Sequence, residues 1–378
     1  MLTLGVIANS RKENEHRLPL HPDHFELVPQ EARGAIRFEC GYGEPFGISD
    51  GEMKRRFGGT ADRSELLQES QVVLLPKPLP EDLRELRENG ILWGWPHCVQ
   101  QREITQIAID RKLTLIAWEA MFSWNRSVRE MHVFDRNNEM AGYCGVIHAL
   151  GLTGKDGLYG APAEACVISH GSVSRGAIYA LLRRGFRNIR VYTQREPWAV
   201  HDKIPGCRYG QMLRGGTGDG VGVVQDDGSR AELIDVLGAA DVIVNGVLQD
   251  TDRPLMFLRE SEETRLKPGA LIVDVSCDLA MGFPFARPTS FEAPTFTVGR
   301  VTYYGVDHTP SYLWQSASWE ISRVVVPFVT TVLGGPAAWD RNETIRRAIE
   351  IREGVVCNET ILSFQNRETD YPHRIVSA

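Results

Sequence analysis

Short runs of consecutive apolar residues recur along the chain, and stretches with apolar residues at helical spacing lie between them. The short runs are rich in Val, Ile and Leu, which predicts strands buried on both faces. These strands are expected at Leu2–Ile7, Ile36–Cys40, Val72–Leu75, Ile91–Trp95, Leu113–Trp118, Ala165–Ser169, Ile189–Thr193, Asp241–Val244, Ala270–Val275 and Val301–Gly305. Helices are expected at Glu81–Glu88, Gln101–Arg111, Gly142–Leu150, Gly176–Arg184, Ala231–Leu237 and Ser316–Val332.

Strands that alternate with helices indicate an α/β fold built on parallel sheets. A length of 378 residues favours two domains, or three. The helix Gly142–Leu150 is a plausible connector, and the helix Ser316–Val332 is expected to return to the first domain. We therefore expect a discontinuous first domain, residues 1–140 with 310–378, and a second domain, residues 141–309. The Gly-rich polar stretch Gly206–Gly228, with Gly-Gly at 215–216 and Asp-Asp-Gly at 226–228, predicts a loop or a mobile flap.

The charge and cysteine content exclude several classes of protein. Lys and Arg number 42 against 49 Asp and Glu, a net charge of −7, which gives no basic footprint for nucleic acid or anionic membrane. The seven Cys form no C-x-x-C pair, so we expect reduced thiols and a cytoplasmic protein. The most apolar long window, Val324–Trp339, is broken by Pro and Gly and is too short for a membrane span.

A candidate dinucleotide loop follows the predicted strand Ala165–Ser169 and opens a helix. Small residues there let the backbone approach a pyrophosphate, and the helix N-terminus supplies N–H donors. The spacing departs from G-x-G-x-x-G, because Ser169 stands where the first glycine would be. The alternative interpretation is a plain strand–turn–helix. The residues expected against the cofactor are Ser169, Gly171, Ser172, Val173 and Gly176.

The end of the next strand bears on which cofactor is bound. An NAD enzyme carries an acidic residue there that holds the ribose 2′-hydroxyl. This chain has Thr193, Gln194 and Arg195 instead, and an arginine can bind a 2′-phosphate bidentately. The sequence therefore favours NADPH (NADP) over NADH (NAD), which stays the alternative, as does a merely solvated Arg195.

Two further strand ends belong to the same expected crevice, since ligands bind at the carboxyl ends of strands in such sheets. They contribute Asn245 with Gly246, and Asp278. Asp274 lies inside an apolar run and is expected to be a structural, hydrogen-bonded carboxylate.

Three charged or titratable residues of the first domain lie in a loop or directly after a predicted strand. Arg17 lies in a polar loop, Lys77 follows the strand Val72–Leu75, and His97 follows Ile91–Trp95. A lysine that leaves water at a strand end becomes a usable acid/base, and a histidine can donate a proton near neutral pH. An arginine can clamp a carboxylate. Many such residues have no function, which is the alternative for each.

Seven short motifs together carry a family resemblance. They are EHRLPL around Arg17, LLPKP around Lys77, GWPHC around His97, AGYCGV at 141–146, HGSVSRGA at 170–177, LIVDVSCD at 271–278 and DHTPSYLW at 307–314. In this order they resemble the alanine dehydrogenase and proton-translocating transhydrogenase N-terminal family. Within it, the likeness is greater to lysine-forming saccharopine dehydrogenases and N5-(carboxyethyl)ornithine synthases.

The resemblance implies two Rossmann-like domains with a cleft between them, residues 141–309 binding the dinucleotide and the other domain binding substrate. It implies that Arg17 binds a substrate carboxylate, with Lys77 and His97 as the acid/base pair. Glu119 would tune that pair, Asp278 would lie near the nicotinamide and substrate, and Asp307 would contact the nicotinamide side. Residues 123–139 match neither enzyme, so a second substrate-binding arginine among Arg126, Arg129 and Arg136 cannot be assigned.

The expected activity is reductive condensation of a 2-oxo acid with the amine of an amino acid, giving an opine- or saccharopine-type secondary amine, or the reverse. One alternative is an ammonia-using amino acid dehydrogenase, and another is an NADPH-binding subunit without turnover. The expected partners are small molecules, without nucleic acid or membrane, and the family allows a homo-oligomer. No metal site is expected, because His16, His21 and His24 have irregular spacing.

Overall fold

The computed structural model describes residues 1–215, 220–225, 227–251 and 253–376. The chain folds into two compact units. Unit 1 comprises Met1–Asp135 with Trp314–Ala378, and unit 2 comprises Arg136–Leu313. The sequence placed these bounds at 140/141 and 309/310. Within the described ranges, no helix is long and apolar enough to cross a membrane.

The secondary structure alternates between strands and helices through most of the chain. The strands are β1 (Leu4–Val6), β2 (Ile36–Glu39), β3 (Thr60–Ala61), β4 (Val72–Leu74), β5 (Ile91–Gly94), β6 (Thr114–Ala117), β7 (Phe122–Asn125), β8 (Val128–His132), β9 (Glu164–Ile168), β10 (Asn188–Thr193), β11 (Cys207–Arg214), β12 (Val221–Val224), β13 (Arg230–Glu232), β14 (Val242–Asn245), β15 (Leu271–Asp274), β16 (Thr295–Val298), β17 (Val301–Tyr304), β18 (Ile349–Arg352) and β19 (Val355–Val356). The α-helices are α1 (Gln30–Arg33), α2 (Asp50–Arg56), α3 (Arg63–Glu69), α4 (Pro80–Glu85), α5 (Arg102–Asp110), α6 (Asp135–Thr153), α7 (Ser172–Arg183), α8 (Leu233–Leu237), α9 (Trp314–Val325), α10 (Val329–Leu333), α11 (Pro336–Trp339), α12 (Glu343–Ala348) and α13 (Glu359–Gln365). Short 3-10 helices lie at Pro22–Leu27, Glu44–Phe46, Trp118–Ala120, Pro197–Ala199, Glu262–Arg265, Thr309–Leu313 and Val326–Phe328.

The sheet of unit 1 has the order β19-β18-β6-β5-β4-β1-β2-β3. The strands from β6 to β3 are all parallel, while β18 and β19 pair antiparallel at one edge. Strands β4, β5 and β6 are buried along their whole length, which is why they read as unbroken apolar runs. Their carboxyl ends lie side by side, so the loops that follow them meet at one edge of the sheet.

The sheet of unit 2 repeats this arrangement. Its order is β13-β12-β11-β10-β9-β14-β15-β17-β16, in which β11 to β17 are parallel and the outer strands antiparallel. In both units the parallel strands follow the order 3-2-1-4-5-6 of a doubly wound dinucleotide fold. The predicted α/β class with two Rossmann-like sheets is confirmed.

The prediction of a loop or flap over Gly206–Gly228 is wrong for most of its length. The stretch contains β11, which pairs with β10, and β12, which pairs antiparallel with β11. A side chain at Gly210 would collide with the ring of Tyr192, so this glycine is part of the strand packing rather than a sign of a loop. Gly216, of the Gly-Gly pair, and Asp226 lie outside the described residues.

Several predicted helices differ from the observed ones in their bounds, and two of these differences have a clear cause. The helix expected over Ser316–Val332 is divided, with α9 ending at Val325 and α10 beginning at Val329. Pro327 lies in the 3-10 turn between them, because proline removes a backbone donor from the helix interior. The helix expected from Ala231 begins at Leu233, since Ala231 pairs with Val223 as part of β13.

Helices α6 and α7 approach each other closely at two glycines. A Cβ on Gly142 would overlap the carbonyl oxygen of Val173, and a Cβ on Gly176 would overlap that of Glu139. Backbone lies against backbone at this crossing, and only glycine leaves the necessary room. Gly176, which the sequence assigned to the cofactor loop, therefore faces helix α6.

Candidate functional site

Lys77 and His97 meet at the carboxyl edge of the unit 1 sheet. Lys77 follows β4 and His97 follows the neighbouring strand β5, and the Lys77 Nζ lies 2.8 Å from the His97 Nε2. The close approach of the two loops depends on Gly94, because a Cβ there would overlap the carbonyl oxygen of Leu75. Lys77 is buried, whereas the His97 side chain is 38% exposed. A protonated lysine has only donors, so the imidazole Nε2 accepts in this contact.

The backbone of His97 is held in an unusual conformation. Its φ is 50°, in the left-handed region that non-glycine residues seldom adopt. The His97 N–H donates to the Glu119 Oε1 over 2.6 Å, and the His97 carbonyl accepts from the N–H groups of Gln100 and Gln101. The surrounding structure thus fixes a strained residue at this position, as is common at functional sites.

Glu119 lies behind the pair, in the 3-10 turn that follows β6. Its Oε1 is 3.9 Å from the His97 Nδ1, and its Oε2 is buried without a hydrogen-bond partner. Burial, followed by the charge of Glu350, raises the pKa of Glu119 to about 8, although Lys77 acts in the opposite direction. The strand order therefore brings Lys77, His97 and Glu119 into one cluster.

Arg17 lies in the loop after β1, the strand next to β4, and is almost completely buried. Its guanidinium is 4.9 Å from the centre of the Trp95 ring. Its Nε and Nη2 donate to the two carboxylate oxygens of Glu15, over 2.8 and 2.5 Å. The positive charge is thus already paired within the protein. Sequence reasoning missed Glu15, although the motif EHRLPL begins with it.

Hydrogen bonds from the last helix, α13, hold the loop after His97 in place. The Gln365 side chain is fully buried, and its Nε2 donates to the carbonyl oxygens of Cys98, at 2.7 Å, and Val99, at 3.0 Å. Thr105 also donates to the Cys98 carbonyl. Gln365 lies far from this loop in sequence, so no motif could have indicated the contact.

The candidate cofactor loop of unit 2 forms a tight turn from β9 into α7 despite its irregular sequence. Ser169 has a φ of 89°, so it adopts the glycine-type backbone of the position it occupies. Gly171 is the N-cap of α7, and Ser172 and Val173 open that twelve-residue helix. A Cβ on Gly246, after β14, would overlap the Ser174 side chain, so the turn after β14 lies directly against the first turn of α7. Close backbone approach at a helix N-terminus fits a pyrophosphate.

The residues at the end of β10 and directly after it differ in exposure. Thr193 is buried and accepts from the Arg195 N–H over 3.4 Å, while Gln194 and Arg195 are exposed. The Arg195 guanidinium donates to the carbonyl oxygen of His170, over 3.4 Å, within the cofactor loop. Arg195 therefore belongs to the surroundings of that loop.

Asn245 takes part in a buried hydrogen-bond network. Its Nδ2 donates to Asp274 over 2.9 Å, and Asp274 also accepts from the Tyr303 hydroxyl and the Cys277 N–H. Asp274 is the structural carboxylate that the sequence indicated, and burial raises its pKa to about 7. Asp278 lies half-buried in the next turn, and the Asp307 Oδ1 is 2.7 Å from the His308 Nδ1.

Residues 123–139, which matched no motif, contain most of a β-hairpin whose turn has two residues. Arg126 and Ser127 both have positive φ between β7 and β8, the geometry of a type I′ turn. The Arg129 guanidinium lies 4.8 Å from the centre of the Phe122 ring, and Arg136 pairs with Glu139 over 2.9 Å. Each of these two arginines thus has a partner within its own unit.

Comparison with known proteins gives the same result for both halves of the chain. The N-terminal domain model of the alanine dehydrogenase/PNT family matches residues 5–141, and the C-terminal domain model matches residues 161–359. An alanine dehydrogenase from Mycobacterium tuberculosis is 22% identical, covering 94% of this chain and 95% of the relative. An N(5)-(carboxyethyl)ornithine synthase from Clostridium botulinum is 24% identical, covering 82% and 88%.

A solved L-alanine dehydrogenase structure shares the fold. Its TM-score is 0.72 at 17% sequence identity, covering 96% of this chain and 99% of that one. The resemblance drawn from the seven motifs is confirmed by the family models, which together span most of the sequence. The chain belongs to the alanine dehydrogenase/PNT family.

Proposed function

We propose that the protein is a nicotinamide-dependent oxidoreductase that acts on CH–NH bonds. It condenses a 2-oxo acid with the amine of an amino acid and reduces the product to a secondary amine, or catalyses the reverse reaction. The observation that carries the proposal is the 2.8 Å contact between Lys77 and His97, with Glu119 behind it. Relatives named for alanine dehydrogenation and for carboxyethylornithine synthesis support the reaction class.

The proton transfers in this proposal belong to Lys77 and His97. The amine attacks the 2-oxo carbonyl, and the pair protonates the oxygen that leaves as water when the carbinolamine becomes an imine. The His97 Nε2 and the Lys77 Nζ are in direct contact, so a proton can pass between them without a water. The nicotinamide, when bound, supplies the hydride that reduces the imine carbon.

The remaining assignments concern binding. Arg17 is proposed to orient the substrate carboxylate, with Glu15 holding its guanidinium in place. Asp278 and Asp307 are proposed for the nicotinamide side, and the loop from Ser169 to Val173 for the pyrophosphate. Ser169 in a glycine-type conformation and the N-terminus of α7 support that last assignment.

The cofactor is proposed to be NADPH, because Arg195 is exposed beside the candidate loop. Substituting Arg195 by serine is expected to weaken NADPH binding about 10- to 100-fold, since a charge-assisted hydrogen bond is lost. NADH binding should stay unchanged. Calorimetric titration of both cofactors measures this, with R187S, exposed and preceding the same strand, as the matched control. Equal losses for NADPH and NADH would contradict the assignment.

A cofactor-oxidation assay tests the activity itself. NADPH and NADH oxidation at 340 nm would be followed with a panel of 2-oxo acids, each supplied with ammonia, lysine, ornithine or other amino acids. We expect turnover only when an amino acid supplies the amine. Turnover with ammonia alone would make the protein an amino acid dehydrogenase, the second candidate, which the likeness to alanine dehydrogenase over 94% of the chain favours. Tight NADPH binding without any oxidation would contradict both.

A further inference from the structure

Glu350 occupies an irregular position in the edge strand β18. Ile349 pairs with Ile116 of β6, yet Ile351 pairs with Leu115, so β18 contains one residue more than its partner between these pairs. Glu350 is that extra residue, and a β-bulge of this kind re-aims a side chain. The residue is 4% exposed, although carboxylates are rarely buried without a partner.

Of the two Glu350 carboxylate oxygens, one accepts a hydrogen bond from a nitrogen donor and the other does not. Its Oε1 accepts from the Asn358 Nδ2 over 3.0 Å, and its backbone carbonyl accepts from the N–H groups of Cys357 and Asn358. Its Oε2 is buried without a nitrogen or oxygen donor, and so is the Oε2 of Glu119. Two ionised carboxylates buried in this way would be costly, and one retained proton removes most of that cost.

We propose that Glu350 is a positioning residue for the Lys77–His97 pair, and that it acts by keeping a proton on the Glu119–Glu350 carboxyl pair. The inference rests on the proposed function of Lys77 and His97. With that proton in place, Glu119 accepts from the His97 N–H without adding a full negative charge beside the imidazole. Loss of that proton at higher pH would leave a negative charge on the two carboxyls. This charge would draw the positive charge of the Lys77–His97 pair toward Glu119.

The charged groups around Glu119 come from several elements. Lys77 and His97 face it from the loops after β4 and β5, and Glu350 acts on it from β18. The Cys98 thiol, a weak donor to Glu350, is buried, and burial together with Glu350 and Glu119 raises its pKa, so it stays neutral. The His132 ring contacts the Glu119 carbonyl oxygen, and burial lowers its pKa to about 4. Helix α12 also packs on this turn, and its charged residues, Glu343, Arg346 and Arg347, pair with one another.

The direction in which stability changes with pH follows from the pKa values of Glu119 and Glu350 in the folded and the unfolded chain. Burial raises the pKa of both Glu119 and Glu350, so the folded protein holds protons that the unfolded chain releases near pH 4.5. Their contribution to stability is complete below that pH and is lost as the pH rises, for Glu119 through its folded-state pKa of about 8. Buried histidines with lowered pKa values, such as His132, act in the opposite direction but only below about pH 6.5. Asp274, whose pKa burial raises to about 7, contributes to the same fall in stability, so the carboxyl pair is read from the difference between E350Q and the wild type from about pH 6.5 to 8.5.

The test compares E350Q with E353Q, a carboxyl-to-amide change at an exposed position of the same hairpin. The wild-type melting temperature should fall between about pH 6.5 and 8.5. In E350Q that fall should shrink to about half or less, whereas E353Q should match the wild type. In the pH profile of kcat, the limb due to Glu119 should move about one unit to lower pH in E350Q, with KM little changed.

The outcomes separate this proposal from the proposed function. An E350Q melting curve that depends on pH as the wild type does would overturn it, whatever the activity. A reduced pH dependence of melting with an unmoved kcat profile would make Glu350 purely structural, which also overturns it. If the wild type has no turnover at all, the proposed function fails on its own, and the melting data still decide the proton on the pair. Should E350Q not fold, E119Q must show the same reduced pH dependence.

Discussion

Replacing Lys77 with methionine is expected to lower turnover about 100- to 10,000-fold, the usual contribution of a positioned acid/base. Methionine keeps most of the length and the apolar stem of the side chain but cannot hold a proton against the His97 Nε2. Because Lys77 lies in unit 1 and the candidate dinucleotide loop in unit 2, the dissociation constant for NADPH should stay unchanged. Steady-state kinetics and calorimetric titration measure the two quantities.

Two variants sharpen this result. K54M, at an exposed position of α2, removes the same charge away from the cluster and should retain full turnover. H97N should lose about as much activity as K77M, and the double variant little more, since residues that act as one unit are not additive. Wild-type turnover in K77M would remove the acid/base pair from the mechanism.

Replacing Gly176 with valine is expected to lower the free energy of unfolding by about 3 kcal/mol, at the upper end of overpacking costs. The Cβ would overlap the carbonyl oxygen of Glu139, and backbone cannot give way as a flexible side chain would. Helices α6 and α7 would have to separate, which also shifts the N-terminus of α7 in the candidate cofactor loop. Urea unfolding followed by circular dichroism at 222 nm measures the loss.

Gly151 in α6 provides the control for this substitution. No atom lies within 4 Å of a Cβ built there, so G151A should raise stability by about 0.5–1 kcal/mol, the usual gain from glycine to alanine inside a helix. Opposite signs for G176V and G151A are therefore expected within one helix pair. An unchanged urea midpoint in G176V would mean that the two helices can move apart freely.

The inner strands could be predicted because buried parallel strands are continuous apolar runs. Strands β4, β5, β14 and β15 all lie within one or two residues of their expected positions. The sequence could not predict β11, in which Gly210 and polar residues hide the strand pattern, because the reason for the glycine is the ring of Tyr192 on the neighbouring strand. The β7–β8 turn was missed because Arg126 and Ser127 are unusual residues for positive φ.

The candidate site was predictable to the extent that strand order determines it. Lys77 and His97 could be paired from sequence because both follow strands that a doubly wound sheet places side by side. Glu15, Glu350 and Gln365 could not, since their roles depend on side-chain direction, on one bulge and on a contact across 267 positions. At Ser169 the sequence departs from the G-x-G-x-x-G pattern, yet the residue adopts the positive φ that glycine adopts readily.

The contact of Gln365 with the loop after His97 also has a consequence for how the protein is made. The two residues it joins, Gln365 and Cys98, are 267 positions apart, and all of unit 2 is synthesised between them. At about 5–20 residues per second, synthesis of the residues between this loop and Gln365 takes roughly 13–53 s. Unit 2 can finish folding in that interval. The loop that bears His97 is thus anchored only after all of unit 2 has been synthesised, and a chain interrupted before Gln365 would contain unit 2 without this anchor.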